Sequence, residues 1–156
     1  MQTFDVAIIG FGIAGKTIAQ ELAAAHKSVV IIEKDERVLT GSRTHAASIP
    51  TYILRELSKD TPYNEALAQK RKLIAELNQS QYKVLAQNEN IELILGQASF
   101  IDEHTLHIDA QNPEDIQAQY IIIDSASKAQ GRNVQGASES RHVLTVEELL
   151  ELDELP

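Results

Sequence analysis

The sequence predicts an α/β fold: one domain, residues 1–156, in three layers, with a central parallel sheet and a small antiparallel β-ribbon. Three observations carry that expectation. Residues 4–33 read as strand, glycine turn, helix and second strand; residues 119–124 repeat the continuous apolar character of a buried strand; and short alternating stretches lie between them.

The first strand, residues 4–9, is β-branched and apolar without alternation, as a strand buried on both faces must be. Gly10-Phe11-Gly12-Ile13-Ala14-Gly15 follows. The first glycine permits a tight turn, the second lets a ligand phosphate approach the backbone, and the third lets helix pack closely on strand. Ala14, Ile18, Ala19 and Leu22 recur at helical spacing, so the unpaired N–H groups of a helix N-terminus face the turn. The second strand ends in Glu33, where a carboxylate can accept hydrogen bonds from adenosine ribose hydroxyls. Together these make a Rossmann-like, dinucleotide-type unit. The plainer alternative, that glycines merely make a βα turn, explains one glycine better than three.

Residues 34–47 form a long polar connection, and long connections in compact domains tend to be functional. A helix is expected over residues 48–58, with Pro50 in its first turn, and a longer one over 64–87 with Ala66, Leu67, Leu73, Ile74, Leu77, Tyr82, Val84 and Leu85 as its apolar stripe. Lys70, Arg71 and Lys72 read as the polar side of that helix. Strands are expected at 91–95, 98–101 and 105–108, the last two forming the ribbon, and at 119–124, returning to the main sheet. A loop covers 125–141 and a short strand 142–144. Thr145 opens a last helix, with Glu148 completing a capping box.

The composition narrows the function classes. Fourteen basic against 23 acidic residues give a formal charge of −9, which argues against nucleic acid or an anionic membrane as partner and leaves a small molecule; homo-oligomerisation stays open. No apolar run reaches membrane-spanning length, and the first strand follows Met1 too closely for a signal peptide, so a soluble, cytoplasmic protein is expected. Cysteine is absent, which excludes disulfides, thiolate chemistry and cysteine metal sites within these residues. No metal site is expected: His104 and His107, three apart on a hairpin, should face opposite ways, and His26 and His142 read as surface residues. Glu114, Asp115 and the acidic tail read as solvated.

In its order of elements the whole chain resembles the N-terminal flavin-binding segment of the class I pyridine nucleotide-disulfide oxidoreductases, such as glutathione, mercuric and dihydrolipoamide reductases. The resemblance implies that Gly10, Gly12, Gly15 and Glu33 bind FAD. The family's redox motif, like GGTCxxxGCIPTK, corresponds to residues 40–52, recognisable through Gly41 and Ile49-Pro50-Thr51. Arg43 and Ser48 stand at its two cysteines and Tyr52 at the lysine that touches the flavin. Asp124-Ser125-Ala126 stands where the family has Ala-Thr-Gly, and Gly136 matches the glycine of a later turn. The pyridine-nucleotide and dimerisation domains implied by the resemblance have no counterpart in these residues. Because the departures cluster around the cofactor cavity, the expectation is a scaffold with its disulfide centre removed and its pocket remodelled, of engineered origin, in which FAD binding is weakened or lost by the Asp124 charge.

Two alternatives stand beside this reading. Ser48 as nucleophile, His45 as base and Asp124 as orienting acid satisfy the residue types that acyl transfer needs, with the helix turn near Ile49 offering oxyanion donors; Ser42, Ser125 and Ser127 are competing nucleophiles. The other alternative is a catalytically silent scaffold or interaction domain.

Overall fold

A computed structural model describes residues 1–36, 48–125, 134–140 and 142–154, with the side chains at 48–50, 138 and 147 excepted. Its elements are β1 (Gln2–Ile9), α1 (Ile13–Ala24), β2 (Val29–Glu33), α2 (Ser48–Leu57), α3 (Tyr63–Ala86), β3 (Ile91–Leu95), β4 (Gln97–Phe100), β5 (Thr105–Asp109), β6 (Glu114–Ile123), a 3-10 turn at Ala137–Glu139 and α4 (Val146–Leu150). They divide into two compact units, one of residues 1–43 and 75–126, the other of 44–74 and 127–156.

The first unit is built on one six-stranded sheet in the order β3-β2-β1-β6-β5-β4. β1 runs parallel to β2 and β6, and β2 parallel to β3, whereas β5 pairs antiparallel with both β4 and β6. Alternate residues of the buried strands serve two cores, because successive side chains leave a strand on opposite faces. Val6, Ile8, Val29 and Ile31 meet Ala19, Ala23 and Leu85 on the helical face. Ala7, Val30 and Ile32 meet Leu106, Ile108, Ile116 and Ala118 on the other. Each fully buried Val, Leu or Ile among them contributes roughly 1.5–3 kcal/mol.

The predicted ribbon is therefore real, but it is hydrogen-bonded into the sheet. The reason lies in β6, which begins at Glu114, five residues before its expected start. Its first half alternates, burying Ile116 and Ala118, and it pairs with β5 on one side and β1 on the other. β4 then returns to pack against β2. Gly96 permits this return: a Cβ there would lie 2.7 Å from Ile108 Cγ2 and 3.0 Å from the Asp109 carbonyl.

In the second unit Leu54, Ala66 and Leu67 are buried, with Leu57, Tyr63 and Leu150 packed around them. Lys70 corrects the reading of a polar helix side, because it is 1% exposed. Its spacing explains this: Ala66, Lys70 and Ile74 follow one another at intervals of four and share a helix face. Lys70 Nζ donates to the Leu150 carbonyl at 2.8 Å and to Glu151 Oε1 at 2.7 Å. Arg71 reaches Glu151 and Asp153, so the acidic tail is bound to α3 through its charges. Leu73, Leu77 and Val84, expected in the stripe, are exposed. Residues 142–144 are not strand. The Thr145–Glu148 capping box forms as expected.

Candidate functional site

β1 is the point at which strand order reverses: the chain goes from β1 outward to β2 and β3, then returns to β6 on β1's other side. In an open α/β sheet the ligand crevice lies beyond the carboxyl ends of the strands at such a point. The Gly10–Gly15 turn closes β1 there, and Asp124 follows the end of β6 beside it. The Gly10 N–H donates to the Ile32 carbonyl at 2.8 Å, and the Asp124 N–H to the Ile9 carbonyl at 2.8 Å.

All three glycines are placed by Asp124. Gly10 has φ +110°, and a Cβ there would collide with the Asp124 carbonyl. A Cβ on Gly12 would run into the Asp124 carboxylate, and one on Gly15 would lie 2.7 Å from Asp124 Oδ2 and 2.9 Å from Ile8 Cγ2. The expectation that the second glycine leaves room for a ligand phosphate is thus sharpened, because the atoms nearest that room belong to Asp124. The helix explains why. Gly12 is the N-cap of α1, has no side chain to cap with, and no acid sits in the first turn. Asp124 Oδ2 accepts the Gly15 N–H at 2.7 Å across 109 residues of sequence, which is the bond an N-cap side chain ordinarily makes to the third residue of a helix.

Glu33 is 5% exposed. Its Oε2 accepts the Phe11 N–H at 3.0 Å and its Oε1 the Asp35 N–H at 2.8 Å, so the acid ties the end of β2 to the glycine turn. A carboxylate oxygen accepts more than one hydrogen bond, which keeps this arrangement compatible with ribose hydroxyls. Lys16, one residue past the turn, donates to Gln81 Oε1 at 2.6 Å with its ammonium 4.9 Å from the Phe11 ring centre. Burial holds the Lys16 ammonium below the usual lysine range, and the Asp124 carboxylate pulls it the other way. Beyond Glu33 a groove of about 930 Å³ is lined by residues 34–36, 92–97 and 109–112 and by Glu114.

The turn and Glu33 are therefore brought together as predicted. The Ser48, His45 and Asp124 constellation falls largely outside the described residues: His45, with Ser42, Arg43 and the rest of residues 37–47, lies beyond them, as does the Ser48 side chain, although Ser48 is the first residue of α2. Ser127 is outside as well. Tyr52 is 65% exposed on α2. His104 Nδ1 lies 3.2 Å from the Ala118 carbonyl, while His107 Nδ1 pairs with Asp115 Oδ1 at 2.7 Å across β5 and β6. Asp115 is consequently a strand residue with a partner, beyond the solvated reading given to it. The cap from Asp124 to Gly15 had one signal in the sequence, an N-cap glycine without a nearby acid.

The backbone of the site fits a dinucleotide: N–H donors at a helix N-terminus, a glycine at each close approach, and a buried acid one strand away. The Asp124 charge is the element that does not follow this pattern. The family model for pyridine nucleotide-disulphide oxidoreductases matches residues 4–156. Among curated proteins, the probable pyridine nucleotide-disulfide oxidoreductase RclA of Escherichia coli is 32% identical over 100% of this chain and 36% of its own length. The mercuric reductase of Bacillus cereus is 28% identical over 98% of this chain and 26% of its own. Among solved structures, a Cu(II) complex of the HOCl-induced flavoprotein disulfide reductase RclA from Escherichia coli superposes with a TM-score of 0.87, at 30% identity, covering 100% of this chain and 36% of that one. The chain thus spans about a third or less of each of these relatives.

Proposed function

The chain belongs to the pyridine nucleotide-disulphide oxidoreductase family, and from that premise we propose that it binds the adenine dinucleotide FAD at the switch point between β1 and β6. The observation that carries this reading is the Gly10–Gly15 turn at the N-terminus of α1, locked to a buried Glu33 one strand away. In the proposed arrangement Gly10 and Gly12 let the pyrophosphate approach the first turn of α1, Gly15 keeps that turn packed on β1, and Glu33 accepts from the adenosine ribose. The groove beyond Glu33 has the size and position to take the adenine.

The flavin, when bound, supplies hydride and electron transfer. What these residues contribute is binding and orientation. They hold no thiol, so dithiol exchange is not a reaction they carry out themselves. Among the described residues no helix is long and apolar enough to cross a membrane.

Neither the relatives nor the described geometry favours an engineered origin or a designed serine hydrolase, and the one triad member with a described side chain, Asp124, spends a carboxylate oxygen on Gly15. The test is an FAD titration followed by flavin fluorescence and by calorimetry, with Glu33→Ala alongside. Saturable binding that weakens about tenfold or more in the variant supports the reading. Failure to bind FAD or ADP at millimolar concentration, by the wild-type chain and by Asp124→Asn alike, overturns it and leaves the silent scaffold.

A further inference from the structure

Asp124 does two things at the glycine turn that a neutral residue of the same shape could not do together. It caps α1 through the Gly15 N–H at 2.7 Å. It also places a negative charge in the volume that Gly12 would otherwise fill with a methyl group. Phosphates are attracted to a helix N-terminus by its unsatisfied N–H groups and partial positive charge, and an aspartate carboxylate satisfies the same need. Among the described residues Asp124 makes no ion pair, and Lys16, a cation that couples to it electrostatically, is bonded to Gln81. Backbone fixes the carboxylate in position, since Asp124 N–H is held by the Ile9 carbonyl and its own carbonyl lies against Gly10.

We propose that Asp124 is the specificity-determining residue of this turn, an internal anion whose carboxylate competes with a ligand's pyrophosphate for the N-terminus of α1. The proposal rests on the dinucleotide reading above and adds to it the sign and origin of the affinity. Two negative groups a few ångströms apart in a half-screened site oppose each other. Removal of one charge should therefore tighten phosphate-bearing ligands by about tenfold or more, while a ligand without phosphate feels no change. Asn is as good a helix cap as Asp, so Asp124→Asn separates the charge from the cap, and Asp124→Ala removes both.

The experiment is calorimetric titration of wild type, Asp124→Asn and Asp124→Ala with ADP, FAD and adenosine, with the melting temperature of each protein recorded. We expect Asp124→Asn to melt within a few degrees of wild type and to bind ADP and FAD about tenfold more tightly, with adenosine unaltered. Asp124→Ala should melt lower and still favour ADP over wild type. Equal or weaker ADP binding by a folded Asp124→Asn variant overturns the competition while leaving the dinucleotide reading intact. Equal gains for adenosine and ADP overturn it too, because they would reflect a loosened turn. If none of the three proteins binds any of the ligands, the dinucleotide reading falls and the competition with it.

Discussion

Asp124 and Lys70 each hold a helix end, and they do so in opposite ways. In the first unit Asp124 sends a carboxylate to the N-terminus of α1; in the second, Lys70 sends an ammonium to the carbonyl that ends α4, at Leu150. Each sign suits the helix end it meets, and each residue is far away in sequence, 109 positions from Gly15 and 80 from Leu150. The difference lies in what surrounds them. Lys70 is enclosed and shares its charge with Glu151, so its work is structural. Asp124 stands half-buried in the crevice of a parallel sheet, without an ion-pair partner among the described residues. The same device is a strut in one unit and a determinant of binding in the other.

The largest effect should come from the strut. Lys70→Ala leaves a cavity, an unpaired Leu150 carbonyl and Glu151 with only Arg71 as its partner, and should cost about 2–4 kcal/mol in urea unfolding. Glu151 is more than half exposed and can return to water, which keeps the loss at the lower part of the range for broken buried pairs. A cost below about 0.5 kcal/mol would erase the contrast.

Gly12→Ala comes next. Its methyl group meets the Asp124 carboxylate, and overpacking of this kind costs about 1–3 kcal/mol. Much of that cost should vanish in a background of Asp124→Ala, giving a coupling of about 1 kcal/mol in a double-mutant cycle. Additive effects would mean that some other contact demands the glycine.

The fold was largely legible because its signals are local. The runs 4–9 and 29–33 carry the two-sided burial of parallel strands, and the glycine spacing between them fixes a turn at a helix start. β6 was half legible: its last residues are continuously apolar, but its first five alternate polar and apolar and contain Glu114 and Asp115, which disguise a strand paired on both sides. Lys70 was hidden for the opposite reason. It occupies an apolar stripe at the right spacing, yet its partners lie some 80 residues on, in a tail that reads as solvated. Asp124 reads from the sequence as a departure from the Ala-Thr-Gly pattern that sets a charge near the cofactor, with acyl transfer as an alternative; its cap to Gly15 does not, since nothing local ties residue 124 to residue 15. Long-range side-chain bonds are the part of a site that periodicity cannot reveal.

Smaller effects refine the comparison. Asp124→Ala alone should cost about 1 kcal/mol through the lost cap, and Asp124→Asn a few tenths, as read from denaturant midpoints. At the other end of β1, Asp5 accepts the Ser28 N–H at 2.8 Å, and that bond, with the Ser28 hydroxyl, holds its carboxyl below the usual aspartate range. A depressed carboxyl contributes stability above its unfolded pKa of about 3.9 and loses it as pH falls through the lower folded value. The melting-temperature gap between wild type and Asp5→Asn should therefore be small at neutral pH and close as pH drops below about 4. A gap that widens on acidification would contradict the assignment.

The most direct test of the central claim is to follow the backbone amides of the glycine turn by nitrogen–proton correlation spectra during titration with ADP. The account predicts saturable shifts concentrated at Gly12, Ile13, Ala14 and Gly15, with the Phe11 amide reporting on Glu33. Saturation that leaves those amides unmoved and shifts residues elsewhere would contradict it.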